Sequence, residues 1–136
     1  MIAVDTNILV YAVDANEQTK GAIAAALIER LAAENAVLLY QVVAEFGAVF
    51  DRKRRKTQLG IDVPALLEGW FDLFKVVTPS TDVVTRAWRL LESHQLQYWD
   101  AVLIAGCIEA GVTRLYTEDL QDRPQIEGVQ IVNPFA

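Results

Sequence analysis

Four acidic residues occupy positions from which their carboxylates could meet at one site. Asp5 follows a short apolar run at residues 2–4, and Asp119 lies just past a second such run. Asp100 opens a helical stretch and shares a face with its apolar residues, while Glu45 lies at the edge of another apolar helix stripe. Ionised carboxylates placed together repel one another and raise one another's pKa, so a shared site requires a cation. Carboxylate oxygens suit hard divalent ions, and we expect Mg²⁺ or Mn²⁺.

Each of these acids also has an ordinary structural role open to it. Asp5 and Asp100 could each be only the cap of a helix. Asp119 could be a turn residue, and Glu45 a solvated helix residue. Their joint placement, at two strand ends and two helix positions, favours a shared site.

Other catalytic groups are scarce in the sequence. His94 is the one histidine, and its neighbour Ser93 cannot face it on a helix, so a serine–histidine pair does not form there. Cys107 is the one cysteine, which excludes an internal disulfide and a cysteine-rich zinc site. The sequence has neither a P-loop nor a paired-glycine dinucleotide motif. Metal-assisted hydrolysis is the chemistry that remains.

Short apolar runs alternate with amphipathic stretches along the chain. The runs that predict strands are 2–4, 37–40, 75–78, 114–117 and 129–132. Between them lie predicted helices, one of which starts at Ser80 or Thr81 and carries Val84, Ala87 and Leu91 on one face. This alternation predicts an α/β fold of three layers, with helices on both faces of a mostly parallel sheet. Such sheets bind ligands at the carboxyl ends of their strands. The segment 120–128 is expected to be a loop.

Length and composition indicate one domain spanning residues 1–136. Apolar residues make up 53% of the 136, which is ample for a core. No apolar run approaches the roughly 18 residues of a membrane span, and the N-terminus lacks a signal-peptide pattern. We therefore expect a cytoplasmic protein with no membrane partner.

The positive charges are concentrated in one block. Five of the twelve basic residues lie at 52–56, although the net charge is −6. Such a block can bind the phosphates of a polyanion locally even though the whole chain is acidic. Arg52 and Lys56 follow Glu45 at close to whole helical turns and so share its side of the helix. Alternatively, the block only complements a helix C-terminus or keeps the surface soluble.

Four short motifs, in this order, resemble those of the PIN-domain ribonucleases. They are Asp5-Thr6-Asn7, Glu45 in the helix after the second strand, Tyr98-Trp99-Asp100-Ala101 and Thr117-Glu118-Asp119-Leu120. The resemblance covers the whole chain. The chain is also similar in length to the VapC toxins of bacterial toxin–antitoxin modules.

The resemblance implies a PIN-like three-layer α/β/α fold and a metal-dependent endoribonuclease that hydrolyses RNA phosphodiesters. The implied catalytic and metal-binding residues are Asp5, Glu45, Asp100 and Asp119. The implied supporting residues are Thr6, Asn7, Thr117 and Asp122. The basic side chains expected to contact RNA are Arg52, Arg55 and Lys56. The resemblance also implies a homodimer and a cognate VapB-like antitoxin that blocks the site.

The sequence also bears on three other functions. An inactive PIN scaffold that binds metal and acts by binding RNA or protein stays open. A phosphatase of the haloacid dehalogenase type is disfavoured, because Asn7 stands where its second aspartate, the general acid, is needed. A signalling receiver domain is disfavoured because no lysine follows Lys75.

A predicted helix at 65–74 bears on the expected homodimer. It carries Trp70, Phe71 and Phe74. If these aromatic side chains form an exposed patch, they mark an interface. Alternatively, they fill the core.

Overall fold

A computed structural model of the protein describes residues 1–14, 16–57, 60–120 and 123–136, with the backbone alone at Thr57. The strands are β1 (Ile2–Val4), β2 (Ala36–Leu39), β3 (Lys75–Val77), β4 (Arg114–Tyr116), β5 (Gln125–Ile126) and β6 (Val129–Val132). The helices are α1 (Thr6–Val13), α2 (Gln18–Ala32), α3 (Tyr40–Thr57), α4 (Val63–Leu73), α5 (Asp82–Ser93) and α6 (Tyr98–Ala110). None of the helices in these ranges is long and apolar enough to cross a bilayer.

The strands form one mostly parallel sheet with β1 near its centre. Their order is β3-β2-β1-β4-β6-β5, and β5 alone among the described strands runs antiparallel to its neighbour. The chain steps from β1 to β3 in one direction and then returns across β1 to β4. Because such crossovers are right-handed, α1 to α4 lie on one face of the sheet and α5 and α6 on the other. The predicted α/β class is therefore confirmed, and the direction of winding changes between β1 and β4.

Two helices anchor the centre of the fold. Val42, Phe46 and Phe50 of α3 are buried, and the Phe46 ring packs edge-on against Trp70 with centroids 5.9 Å apart. Full burial of an apolar side chain of this size contributes roughly 1.5–3 kcal/mol, so α3 is firmly fixed. Helix α6 is apolar nearly all round, and Gly106 lets the side chain of Leu39 approach its backbone closely.

Two details differ from the sequence-based predictions. The segment 120–128 contains the short strand β5, joined to β6 by Glu127 and Gly128, which both have positive φ. That pair forms a tight hairpin turn, which a mixed polar segment does not reveal. The buried face of α5 consists of Val83, Ala87 and Leu90, whereas Val84 is 50% exposed. The predicted face was wrong by one residue at each end, because the helix has apolar residues on both sides of Ala87.

The aromatic residues of α4 and its C-cap residue Phe74 divide between core and surface. Trp70 and Phe74 are buried, while Phe71 and its neighbour Leu73 are exposed. The core therefore takes two of the three aromatic side chains. What is left at the surface is a small apolar patch.

The end of α6 gives a stability prediction. Gly111 caps this helix in the left-handed region at φ 79°, where a side chain costs about 1–2 kcal/mol. We expect Gly111→Ala to lower the free energy of unfolding by about that amount in urea denaturation. Gly69→Ala is the matched control, since Gly69 lies inside α4 with open space around its Cα. It should raise the free energy of unfolding by about 0.5–1 kcal/mol, and a shift of both variants in the same direction would contradict the assignment.

Candidate active site

Asp5 lies at the carboxyl end of β1, and its side chain is only 7% exposed. One carboxylate oxygen accepts a hydrogen bond from the backbone N–H of Thr6 (2.7 Å) and thereby caps α1. The other accepts from the Thr117 hydroxyl (2.8 Å), just past β4. The capping role considered for Asp5 is thus real, and it coexists with a fixed position at the edge of the sheet.

Thr117 links two of the acids. Its hydroxyl donates to Asp5 and accepts from the backbone N–H of Asp119 (3.0 Å), and the side chain is fully buried. The amide of Asn7 donates to the Asp119 carboxylate at 3.4 Å. The polar residues that follow β1 and β4 are therefore tied together across the point where the sheet changes its winding direction.

Glu45 reaches the same region from α3. Its carboxylate accepts hydrogen bonds from the Thr6 hydroxyl (2.9 Å) and from the Gln41 amide (3.1 Å). The same amide also donates to the backbone oxygen of Trp99 at 3.1 Å. Sequence reasoning missed Gln41, although its position four residues before Glu45 on one helix face is a usable signal.

Two adjoining cavities contain the four acids. The first, of about 450 Å³, is lined among others by Asp5, Glu45 and Asp119. The second, of about 630 Å³, is lined by Asp100 and again by Asp119. We call the first the carboxylate cavity. Asp100 is half-buried in the first turn of α6, whose cap residue is Gln97, so the capping role considered for Asp100 is wrong.

Burial and neighbouring charges raise the pKa values of three acids. Burial raises the pKa of Asp5 to about 6, against the opposing effect of hydrogen bonds from Thr117 and Thr6. Burial also raises the pKa of Asp100, and the charges of Asp119 and Glu45 add to it. The pKa of Asp119 is raised by desolvation, then by the charges of its acidic neighbours. The four acids therefore act on one another electrostatically, which is the condition that a bound cation relieves.

The donor atoms here fit a hard divalent cation. They are oxygens, and the side-chain oxygen of Asn7 is buried without a hydrogen-bond partner in the described part of the chain. Amide and carboxylate oxygens are the ligands such ions take. Burial, with the nearby charge of Asp5, raises the pKa of Cys107 to about 12, so its thiol stays neutral and is a poor ligand. Within the described residues, however, no three acidic, histidine or cysteine side chains form a ready ligand shell.

The basic block divides between the cavity and other partners. Arg52 lines the carboxylate cavity, and no ion pair among the described residues involves it. Arg55 instead pairs with Asp51 at 3.3 Å, and Arg54 pairs with the same carboxylate at 2.8 Å. Lys56 is exposed near the end of α3. Among the three residues expected to contact phosphates, Arg52 lies beside the acids and Arg55 does not.

Two other acids, Asp122 and Glu118, lie close in sequence to Asp119. Asp122 lies outside the described residues. Glu118 is held by the Tyr11 hydroxyl and by Lys20, whose ammonium lies 2.9 Å from its carboxylate. Burial raises the pKa of Glu118, but these hydrogen bonds outweigh it and hold the pKa below its usual range. Glu118 is thus occupied by a positive partner, unlike Asp5.

The sequence matches the PIN domain family over residues 2–123, and the chain belongs to that family. Its fold is similar to a chain of a toxin–antitoxin complex from Klebsiella pneumoniae, with a TM-score of 0.64, 21% identity and 98% of each chain covered. It is also similar to VapC20 of Mycobacterium tuberculosis, a sarcin–ricin loop cleaving toxin, with a TM-score of 0.61 and 19% identity over 96% of this chain and 99% of that one.

A third similar fold comes from a structure of FitAB bound to the IR36 DNA fragment. Its TM-score is 0.66 with 18% identity, over 100% of this chain and 96% of the other. At such identities the likeness concerns the fold, and the predicted PIN-like fold is confirmed. A search of curated protein sequences gives no significant match.

The raised pKa of Asp5 predicts a pH-dependent stability. Between the ordinary value of 3.8 and about 6, the folded state binds more protons at Asp5 than the unfolded state. The stabilising contribution of its protonated form is therefore full below pH 4 and lost as the pH rises through 6. In EDTA, Asp5→Asn should gain stability relative to the parent between pH 4 and pH 8, by up to about 3 kcal/mol.

Urea denaturation at the two pH values measures this difference, and a hydrogen bond lost in the variant costs about 1 kcal/mol at both. Glu34→Gln serves as the control, because Glu34 is exposed just beyond α2. That variant should change little at either pH. A gap between Asp5→Asn and the parent that does not vary with pH would contradict the burial of a charged Asp5.

Proposed function

We propose that the chain is a single-domain, Mg²⁺- or Mn²⁺-dependent endoribonuclease and the toxin of a toxin–antitoxin module. The observation that carries the proposal is the meeting of Asp5, Glu45 and Asp119 around the carboxylate cavity, with Asp100 next to it. Membership of the PIN domain family and the fold likeness to VapC20, a sarcin–ricin loop cleaving toxin, support it.

Asp5, Glu45, Asp100 and Asp119 would hold the metal, and nearby lies the side-chain oxygen of Asn7, which has no hydrogen-bond partner among the described residues. A divalent ion bound there would polarise the phosphodiester and lower the pKa of a bound water. The ligand residues are themselves held in place: Thr117 fixes Asp5, and Thr6 fixes Glu45. We propose Asp122 as a further supporting acid, on the basis of the family resemblance.

Arg52 is the cation best placed to meet RNA. It lines the same cavity as the acids, so its guanidinium can bind a phosphate that lies beside the metal site. Lys56 and Arg55 would contact phosphates further along the strand. Because Arg55 already has Asp51 as a partner, we expect its contribution to be smaller.

We further propose an antitoxin partner and a homodimer. The antitoxin proposal is supported by the fold likeness to a chain of a toxin–antitoxin complex and to one in the structure of FitAB bound to DNA. The homodimer proposal is supported by the large apolar side chains that α4 leaves exposed, which are Phe71 and Leu73, while Trp70 and Phe74 lie in the core. An apolar pair of this size adds to an interface but does not form one alone.

A cleavage assay separates the nuclease from an inactive PIN scaffold that only binds. The parent should cleave RNA with Mg²⁺ or Mn²⁺ and lose activity in EDTA. Asp100→Asn should lower the cleavage rate roughly 100-fold or more, because the site loses a carboxylate that would hold the metal on which transition-state stabilisation depends. RNA affinity measured in EDTA should hold or rise, since repulsion of phosphate is relieved. Asp82→Asn, a first-turn acid of α5, is the control and should leave both unchanged. RNA binding by the parent without cleavage would support the scaffold instead.

A pair of arginine variants tests how RNA is held. Arg52→Ala should weaken RNA binding and flatten its dependence on salt by about 0.7 for one phosphate contact on a single strand. Arg55→Ala is the matched control on the same helix, and its effect should be smaller because Asp51 already binds that side chain. Binding titrations at several salt concentrations measure both. If neither variant alters affinity or salt slope, the basic block is a solvated helix end.

A further inference from the structure

An apolar groove of about 510 Å³ adjoins the carboxylate cavity. Its lining includes Tyr40, Pro79, Trp99 and Val102. Glu45 lines both this groove and the carboxylate cavity, as does Ala48 one turn later on α3. One turn of α3 therefore forms the boundary between the two spaces. A ligand that reaches the acids can also extend into the groove.

Two large aromatic side chains stand exposed at this groove. Trp99 is 64% exposed and Tyr40 is 56% exposed, whereas Trp70 is in the core. A contiguous exposed apolar surface, unlike a single exposed residue, marks a site of interaction. Trp99 is also well held, because its ring packs edge-on against Tyr98 with centroids 5.1 Å apart.

Gln41 fixes the backbone at Trp99 relative to the carboxylate of Glu45. Its amide donates both to the Glu45 carboxylate and to the backbone oxygen of Trp99, at 3.1 Å each. This bridge ties the first turn of α6 to α3. It keeps Trp99 at a fixed place relative to Glu45, as a site that reads a group next to a reacting bond requires.

We infer that this groove stacks an unpaired base of the RNA substrate on Trp99, next to the phosphate at the acids. The inference rests on the proposed ribonuclease function and names the form of RNA that the site takes. The chemistry of the two spaces differs as the two parts of a nucleotide do: the groove is apolar and aromatic, and the carboxylate cavity is lined by three of the acids and by Arg52. Bases splayed out of a single strand stack on aromatic side chains, whereas paired bases are not available to do so.

An apolar protein segment is a less suitable occupant than a base. Covering the groove with such a segment would bury the rim residue Glu45 further, and burial of a charge without a new partner is costly. A flat base covers the aromatic rings and leaves the neighbouring cavity open to solvent and ions. Unpaired RNA, rather than a duplex, is therefore the substrate form that this face selects.

Binding of defined oligonucleotides tests the inference. The probes are a labelled single-stranded RNA of mixed sequence, the same strand in a duplex, and an abasic strand of equal length, all in EDTA so that no cleavage occurs. Trp99→Ala should weaken binding of the single strand roughly 5- to 150-fold. It should leave the abasic strand and the duplex unaffected, and Trp99→Phe should keep most of the affinity. Tryptophan fluorescence of the parent should be quenched by the single strand and less by the abasic one.

Trp88→Ala is the matched control, since Trp88 is a 56% exposed tryptophan of α5 outside the groove lining, and its ring packs against Tyr98, which is also outside that lining. It should bind all three probes as the parent does, and circular dichroism should show that each variant is folded. If the parent cleaves RNA with Mg²⁺ or Mn²⁺ while Trp99→Ala binds every probe normally, the stacking inference is overturned and the proposed function stands. If Trp99→Ala instead abolishes self-association in light scattering without altering RNA binding, a second copy covers this face and the inference is again overturned. If the parent neither binds nor cleaves RNA, the proposed function is contradicted, and the stacking inference that rests on it is overturned as well.

Discussion

The burial of one carboxylate, that of Asp5, is the constraint on which the rest of the site depends. An ionised acid in a buried place is costly, and the pKa of about 6 reflects that cost. Two hydrogen bonds, from the N-terminus of α1 and from the Thr117 hydroxyl, reduce it. Those donors exist because β1 lies beside β4 and leads directly into α1. The order of the strands in the sheet therefore determines which donors stabilise the charge of this carboxylate.

The same topology explains why the four acids come from distant parts of the chain. Asp5 and Asp119 follow two neighbouring strands, at the point where the sheet changes its winding direction and its two halves part. Glu45 arrives on α3, which Phe46 and Phe50 fix in the core, and Asp100 arrives on α6 from the other face. Each acid thus lies on an element whose position is set by apolar packing. Rigid placement allows like charges to stay near one another, because the core outweighs their repulsion.

The sequence was informative wherever a residue's place follows from a strand end or a helix period. The strand ends at Asp5 and Asp119 could be predicted because parallel strands end at one edge of the sheet. The exposure of Val84 could not be predicted, since α5 has apolar residues on two adjacent faces and only packing determines which face is buried. The hairpin of β5 and β6 depends on two residues with positive φ, one of which is Glu127, and no composition rule indicates it. The pairing of Arg55 with Asp51 follows helix spacing and was open to prediction.

The distribution of charge makes metal and RNA binding interdependent under the proposed function. The chain has a net charge of −6, and Asp51 and Asp14 already hold three members of the basic block. Arg52 then faces Asp5, Glu45 and Asp119 across one cavity. Without a bound cation, these acids repel the phosphate that Arg52 attracts, so a metal that neutralises them raises the affinity for RNA. By thermodynamic reciprocity, RNA must raise the affinity for the metal by the same factor, since a single coupling free energy joins the two sites.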